Sequence, residues 1–338
     1  MRTSPIVVAL ALGVGTGAIA SRPPAPLEGR LYRLDPAHSS VEFSVRYLRL
    51  MEVEGRFAEW DAALIGPESP ERGTIAVAFR TASLDTGNDT RDDHLRSGDF
   101  FDAEAYPLIT FVSEEVVKRG DGFVARGPLV MHGVTRQIEV PFRPAYAPMV
   151  DGKGNARVGF TGELTIDRRD FGIEGGNDFN AGFDPLVSII DDEVRIRFGV
   201  HAMIPPLRSG PVDSLLAAVE SAGVAEVVAA WHRNPPPAGD DEASTRARAR
   251  SGGIFNAAGF RLIEAGRAAD AVELLRVSVL ALPGSARALA GLAEGYAREG
   301  QDAAALENAD RALAIDPAEA RALVVKHWVE RRRSGPTR

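Results

Sequence analysis

Polar side chains crowd residues 85–94, and six of them form a group whose types could support acid–base chemistry or hold a metal ion. They are Asp85, Asn88, Arg91, Asp92, Asp93 and His94. The same types suit a turn at Gly87 followed by the start of a short helix, where a polar side chain caps the backbone and carboxylates are favoured. We predict the capped helix, with Arg91 tied to Asp92 or Asp93.

Three histidines, His38, His94 and His132, are the second candidate for chemistry. A zinc site would need such imidazoles within about 2.1 Å of one ion, with one position left open for catalysis. Their separation in the sequence permits convergence but does not indicate it. Because a histidine bonded to a backbone carbonyl is a common arrangement, we predict no metal site.

Other catalytic signatures are missing from the sequence. It contains no Gly-x-Ser-x-Gly elbow, no His-Glu-x-x-His motif and no phosphate-binding loop. It also contains no cysteine, which excludes thiol nucleophiles, disulfides and thiolate-held metals. We therefore predict no catalytic residues, no cofactor and a protein that is not an enzyme.

Length and charge restrict the remaining classes. The 338 residues carry 39 Lys and Arg against 47 Asp and Glu, a formal net charge of −8. This balance argues against nucleic acid as a partner, because phosphate backbones are bound by positive surfaces. Two folded units are expected, since domains usually contain about 100–200 residues.

The amino terminus has the layout of a secretory signal peptide over residues 1–20. One early positive charge precedes an apolar stretch from Ile6 to Val14, with small residues at Ala18 and Ala20. A proline-rich spacer follows at residues 21–30. We expect a periplasmic or secreted protein without a transmembrane segment after signal removal, because no later stretch reaches the roughly 20 apolar residues of a spanning helix.

The first domain is placed at residues 31–203, where apolar residues alternate with polar ones. Val41, Phe43 and Val45 show the alternation, which is typical of half-buried strands. Further strand-like runs lie at residues 74–80, 108–112, 122–131, 136–142, 156–166 and 192–200. This number of strands predicts a sandwich or an up-and-down barrel, and composition does not choose between them.

After a linker at residues 204–211, the segment 212–332 has a helical period and repeats itself. Gly266 and Gly300 lie 34 residues apart, as do Pro283 and Pro317. A 34-residue period with these residue types is the tetratricopeptide signature. We predict a small all-α domain with two repeats, at about 252–285 and 286–319, and capping helices at about 212–232 and 318–332. The first capping helix is expected to continue through Gly223.

Five blocks of the first domain form an ordered pattern. They are Tyr32–His38 with Ser39 and Ser40, Gly55–Phe57, Ala82–Phe111, Gly127–Thr135 and Asp167–Ile173. Over residues 31–202 this pattern resembles the YceI-like family of periplasmic polyisoprenoid-binding proteins. The resemblance implies a lipocalin-like antiparallel β-barrel that encloses an elongated apolar ligand, consistent with the room inside a barrel of about eight strands.

An apolar chain is held by an apolar tunnel more than by charges. The candidate cavity residues are Val41, Phe43, Val45, Phe57, Phe79, Phe111, Leu129, Met131, Phe142, Phe160 and Leu164. Plain barrel core is the alternative for each, because alternation does not tell which face lines a cavity. A lid over the barrel mouth is expected from Arg91, Asp92, His94, Phe100 and Phe101.

The sequence therefore predicts a carrier that holds an isoprenoid lipid, of the polyprenol or quinone type, in the barrel without changing it chemically. The helical repeats would dock a protein partner. Two alternatives stay open: an interaction scaffold in which the barrel is a platform, and a metal-dependent enzyme that uses the histidines. Lipid recovered by solvent extraction would favour the carrier.

Overall fold

The computed structural model describes residues 30–48, 50–66, 70–146, 148–151, 156–175, 189–204 and 210–334. The predicted signal peptide at residues 1–20 lies outside the described residues. So do residues 21–29 of the predicted spacer and residues 205–209 of the predicted linker.

Thirteen antiparallel strands form the first domain within the described residues. Their bounds are β1 (Arg30–Leu34), β2 (Ser40–Tyr47), β3 (Met51–Phe57), β4 (Trp60–Gly66), β5 (Thr74–Arg80), β6 (Leu84–Asp85), β7 (Leu108–Val112), β8 (Glu115–Arg119), β9 (Gly122–Met131), β10 (Val134–Pro144), β11 (Met149–Val150), β12 (Ala156–Asp167) and β13 (Ile190–Ile204). Each strand-like run of the sequence falls on one of them, and β5, β7 and β9 have the predicted bounds.

The strand pairings close on themselves. Eight strands form the ring, in the order β1, β4, β5, β7, β9, β10, β12 and β13, and β13 pairs with β1 again. The strands β2 and β3 continue the sheet of β1 and β4 beyond a bend, and β2 also pairs with β13. The first domain is therefore a lipocalin-like antiparallel barrel, as expected, and not a sandwich.

The period of two divides each strand into an inner and an outer face. In β5, Ile75, Val77 and Phe79 face the barrel interior, whereas Ala76 and Ala78 face outward and are nevertheless fully buried. Because these two alanines face outward and yet have no exposed surface, another part of the protein must cover this side of the sheet.

Helix α1 (Asp89–Arg96) and the loop that follows it lie at one end of the barrel, together with the β2–β3 turn and the short helical turn Arg168–Phe171. We call this the α1 end. Residues 70–73 and strand β11 lie at the opposite end.

Seven helices follow the barrel in the described residues. They are α2 (Gly210–Ala222), α3 (Val224–Arg233), α4 (Glu242–Glu264), α5 (Ala268–Ala281), α6 (Ala286–Arg298), α7 (Asp302–Ile315) and α8 (Ala320–Ser334). Their bounds repeat at the predicted period, because α5 and α7 begin 34 residues apart and so do α6 and α8. Gly266 and Gly300 make the turns with φ of 75° and 76°.

The predicted helix over residues 212–232 is wrong, because it breaks at Gly223. This residue has a φ of 84°, a left-handed conformation that glycine adopts without a steric penalty. It ends α2, and α3 starts again at an angle of 116°. In the described residues no single helix has the length and apolar composition to cross a membrane, although this bent pair passes the same test when taken together.

Helix α8 covers the outer wall of the barrel, where it packs on β4, β5 and β7. Outward-facing Ala63, Ile65 and Ala76 belong to the same apolar cluster as the buried side chains of the helical domain. The small size of the alanines lets the helix approach the sheet closely. The outer face of β4 and β5 therefore shares one apolar core with the helical domain, while the barrel interior has a separate cluster.

Polar contacts surround this shared core. Arg80 Nη2 lies 2.6 Å from Asp316 Oδ1, and the Ala320 N–H donates to Asp61 Oδ2 over 3.3 Å. Burial raises the pKa of Asp61 against the opposing effect of that N–H, and burial also raises the pKa of Glu319 nearby. Ionisation of either carboxyl group therefore costs free energy at this interface.

We predict that Asp61→Asn gains stability relative to wild type as the pH rises. A carboxyl whose folded pKa is raised stabilises the fold below its unfolded pKa of about 4 and loses that contribution as pH rises through the folded value. Free energies of unfolding from urea titrations at pH 4 to 8 should show the difference widening in favour of the variant.

Asp85→Asn is the control with the opposite sign. The Gly87 N–H and Arg56 lower the pKa of Asp85, so this carboxylate stabilises the fold above its unfolded pKa of about 4 and loses that contribution only as pH falls through the lower folded value. Asp85→Asn should therefore be less stable than wild type by a nearly constant margin from about pH 5 to 8. Parallel pH profiles for wild type and Asp61→Asn would contradict the assignment.

Candidate functional site

The barrel interior holds two apolar chambers that share part of their lining, and we call the two together the tunnel. The α1-end chamber reaches Tyr47 and Ile190, and the far chamber reaches Ala202. Val41, Phe79, Leu129 and Ile196 line both chambers, and we call these four residues the waist.

Strand β13 gives the length of the tunnel. Its inward residues are Ile190, Val194, Ile196, Phe198, Val200 and Ala202. From the first to the last the strand extends about 40 Å at roughly 3.3 Å per residue, and a barrel tilt of roughly 40° reduces this to about 30 Å along the axis. That length is close to the roughly 30 Å hydrocarbon thickness of a bilayer.

The structure places all eleven sequence-predicted cavity residues on the tunnel wall. Four line only the α1-end chamber, namely Phe43, Val45, Phe57 and Met131. Four line only the far chamber, namely Phe111, Phe142, Phe160 and Leu164. Val41, Phe79 and Leu129 belong to the waist, and whether any of the eleven contacts a ligand stays a prediction.

Sequence reasoning missed the contribution of β13 to the wall. The run at residues 192–200 was predicted as a strand, and its even-numbered residues alternate in the same way as those of β2. The same periodic signal would have added Ile196, Phe198 and Val200 to the candidates.

Charge is confined to one end of the tunnel. The far chamber is lined by no charged residue among those described, whereas Arg91, His94 and Arg168 border the α1-end chamber. Glu42 also borders it, from the outward position between Val41 and Phe43. The tunnel therefore has an apolar end and an end with cationic groups.

Helix α1 is capped as its sequence predicts. The Asn88 side chain accepts from the Arg91 N–H over 3.0 Å. Asp92, in the first turn, is 4% exposed and accepts from both the Thr86 N–H and the Thr86 hydroxyl. Arg96 donates to the carbonyls of Ala82 and Leu84. These bonds hold α1 firmly against the preceding strand.

The predicted pairing of Arg91 with Asp92 or Asp93 is wrong. Arg91 donates from Nε to the Thr86 hydroxyl over 2.7 Å and from Nη2 to the Thr86 carbonyl over 2.8 Å. Asp93 pairs instead with Arg96 at 3.1 Å. The helical spacing explains the difference, because residues one or two positions apart point in different directions and those three apart are neighbours.

Four of the five predicted lid residues border the α1-end chamber: Arg91, His94, Phe100 and Phe101. Phe101 meets Phe57 edge-on at 5.8 Å, and the ring of Phe100 meets His94 at 5.0 Å. Asp92 lies behind them and faces Thr86. Whether this segment closes the barrel mouth, and whether it moves, stays a prediction.

Arg168 is the second arginine at this chamber, and its donors are used within the fold. It is 6% exposed and donates to the carbonyls of Ile173, Ile190 and Asp191. It also pairs with Asp192 at 2.9 Å. Burial lowers the pKa of Arg168, while the charge of Asp192 opposes that shift.

The three histidines considered for zinc each have a separate partner. His38 contacts Asp35 at 3.0 Å, His94 contacts Asp99 at 3.1 Å, and His132 contacts the carbonyl of Phe171 at 3.0 Å. Within the described part of the chain, no three His, Asp or Glu side chains are grouped in a way that would hold a metal ion.

Comparison with known proteins agrees with the barrel. A sequence model of the YceI-like domain matches residues 32–202, just over half of the 338 residues. The chain belongs to the YceI-like family. A UPF0312 protein of Vibrio cholerae is 35% identical over 167 residues, which cover 48% of this chain and 87% of the relative. A UPF0312 protein of Pseudomonas aeruginosa is 34% identical over 146 residues, covering 42% and 76%.

Solved structures also align with the YceI-like domain. BcnA of Burkholderia cenocepacia is 28% identical with a TM-score of 0.43, covering 50% of this chain and 99% of BcnA. A domain of Saccharophagus degradans, described as a polyisoprenoid-binding domain implicated in plant cell wall breakdown, is 18% identical with a TM-score of 0.39, covering 52% and 98%.

We predict that Asp92→Ala destabilises α1 and the YceI-like domain by about 2 kcal/mol, because it removes the buried carboxylate that accepts from both the Thr86 N–H and the Thr86 hydroxyl. Urea denaturation measures the loss, and faster hydrogen exchange should be confined to residues 86–96. Asp93→Ala removes only an exposed ion pair, its side chain being 79% exposed, and should change stability by less than about 0.5 kcal/mol. Equal effects would contradict the role given to Asp92.

Proposed function

We propose that this protein is a carrier that holds an isoprenoid lipid chain inside its barrel without altering it chemically. The observation that carries the proposal is the pair of apolar chambers that share part of their lining inside the closed barrel and together extend over about 30 Å by the strand geometry above. Such a space is unusual, because protein interiors are normally close-packed. Removing an apolar chain from water favours binding by about 25 cal/mol per Å² of buried surface.

The shape of the tunnel favours an elongated ligand over a compact one. Its walls carry aromatic and branched side chains, and at one chamber Phe57 contacts both Phe79 and Phe101. A polyprenol or a quinone tail offers the matching long apolar surface. Extraction of the purified full chain with organic solvent, followed by mass spectrometry, should recover such a lipid or allow one to be loaded.

We predict that Ile196→Trp blocks long-chain uptake at the waist. Ile196 is partly accessible from the tunnel and faces a space that Phe79 and Leu129 also border, so an indole there fills the passage. Uptake of a long polyprenol should fall at least tenfold, and circular dichroism checks that the barrel stays folded.

Thr165→Trp is the matched control for this substitution. It introduces the same side chain at an exposed position of β12, between the tunnel-lining residues Leu164 and Ile166. It should take up polyprenol as wild type does. If Ile196→Trp also bound the long chain normally, the tunnel would not be the binding site.

The helical domain is inferred to be a tetratricopeptide module. Its support is the 34-residue repetition of helix bounds together with the packing of α4 on α5 and of α6 on α7 as hairpins. Gly259 fits this arrangement, because a Cβ there would lie 2.6 Å from Leu275 Cγ in the facing helix. Docking of a separate protein partner stays a prediction. One surface of the module is already occupied, because α8 packs on the barrel.

A periplasmic or secreted location completes the proposal. Its support is the composition of residues 1–20, with one early arginine, an apolar stretch and small residues before the expected cut after Ala20. Expression of the full chain in a Gram-negative host, followed by fractionation and amino-terminal sequencing, tests it. Intact protein retained in the cytoplasm would contradict this location.

A further inference from the structure

We infer that Arg91 binds an anionic head group at the α1 end of the tunnel, so that the ligand is an isoprenoid phosphate or carboxylate and not a neutral alcohol. This inference rests on the proposed function. It specifies which end of the lipid lies at the α1 end of the tunnel and which head-group chemistry is recognised there.

The first observation is the polarity of the tunnel. The described lining of the far chamber is uncharged, whereas Arg91 borders the α1-end chamber. A ligand with a long apolar chain and one charged end would therefore bind in a single direction, with its chain towards Ala202 and its head at α1. The reverse orientation would bury the charge in the far chamber, at a high desolvation cost.

The second observation is the contrast between the two arginines of this chamber. Arg168 is buried, gives its donors to three carbonyls and is paired with Asp192. Arg91 is exposed at the rim and, among the described residues, has no carboxylate within ion-pair distance. Arg168 is thus part of the fold, while the charge of Arg91 is available.

The third observation is that the Arg91 side chain is held in position before any ligand binds. Two bonds to Thr86 use Nε and Nη2, and neither uses Nη1. Thr86 is itself fixed, because its N–H and hydroxyl both donate to buried Asp92. A guanidinium oriented in this way loses little side-chain entropy on binding and can present paired N–H groups to an oxyanion.

The test compares three lipids with the same isoprenoid chain: a polyprenyl phosphate, the matching carboxylate and the polyprenol. Binding of each to the full chain is measured by displacement of a fluorescent apolar probe. Wild type should bind at least one anionic lipid about tenfold or more tightly than the alcohol, the range expected for hydrogen bonds to a charged group. The tighter anion identifies the head group.

Arg91→Gln should lower the affinity for that anionic lipid until it is close to the affinity for the polyprenol. The affinity for the polyprenol itself should change less than twofold. Arg46→Gln is the control, because Arg46 is exposed on the outer wall near the same end and its loss changes the net charge equally. That variant should keep the preference for the anion. Circular dichroism confirms that both variants fold.

Equal wild-type affinity for anion and alcohol overturns the head-group inference and leaves the carrier proposal standing. A preference that survives in Arg91→Gln overturns the role of Arg91. Failure to take up any of the three lipids overturns the carrier proposal itself, and the inference with it.

Discussion

The pairing of β13 is the interaction on which the rest of the structure depends. This one strand bonds to β12 along one edge and to β1 and β2 along the other, and so closes the sheet into a ring. Closure pairs both edges of the eight-stranded ring and separates an inside from an outside. It also fixes the register, so that every inward residue of β13 faces the same tunnel.

The inner and outer faces of the barrel wall carry side chains of different size, and each face packs against a different environment. On β5, Val77 and Phe79 line the tunnel, while Ala76 and Ala78 between them are covered from outside. Large side chains inside leave a shaped cavity, and small ones outside let α8 lie close to the sheet. The helical domain is thereby joined to the wall of the tunnel, with Arg80 and Asp316 bonded at its edge.

At the α1 end, the polar residues that first suggested catalysis are mostly used to build the fold. Asn88 caps the helix, Asp92 holds Thr86, and Arg96 holds the preceding strand. The main role of the cluster is therefore to hold α1 against the preceding strand. Arg91 differs, because its bonds orient the side chain but do not neutralise it.

The sequence by itself determined whatever depends on local spacing. The period of two located the strands and separated their two faces, the 34-residue period located the helical hairpins, and the polar residues around Gly87 indicated the start of α1. Tertiary structure decided what depends on distant partners: closure by β13, the choice of Thr86 over Asp92 by Arg91, and the docking of α8. The break at Gly223 belongs with these, since glycine permits both a helix and a left-handed turn. Short-range periodicity constrains which face a side chain occupies, but only packing between distant segments determines what lies opposite that face.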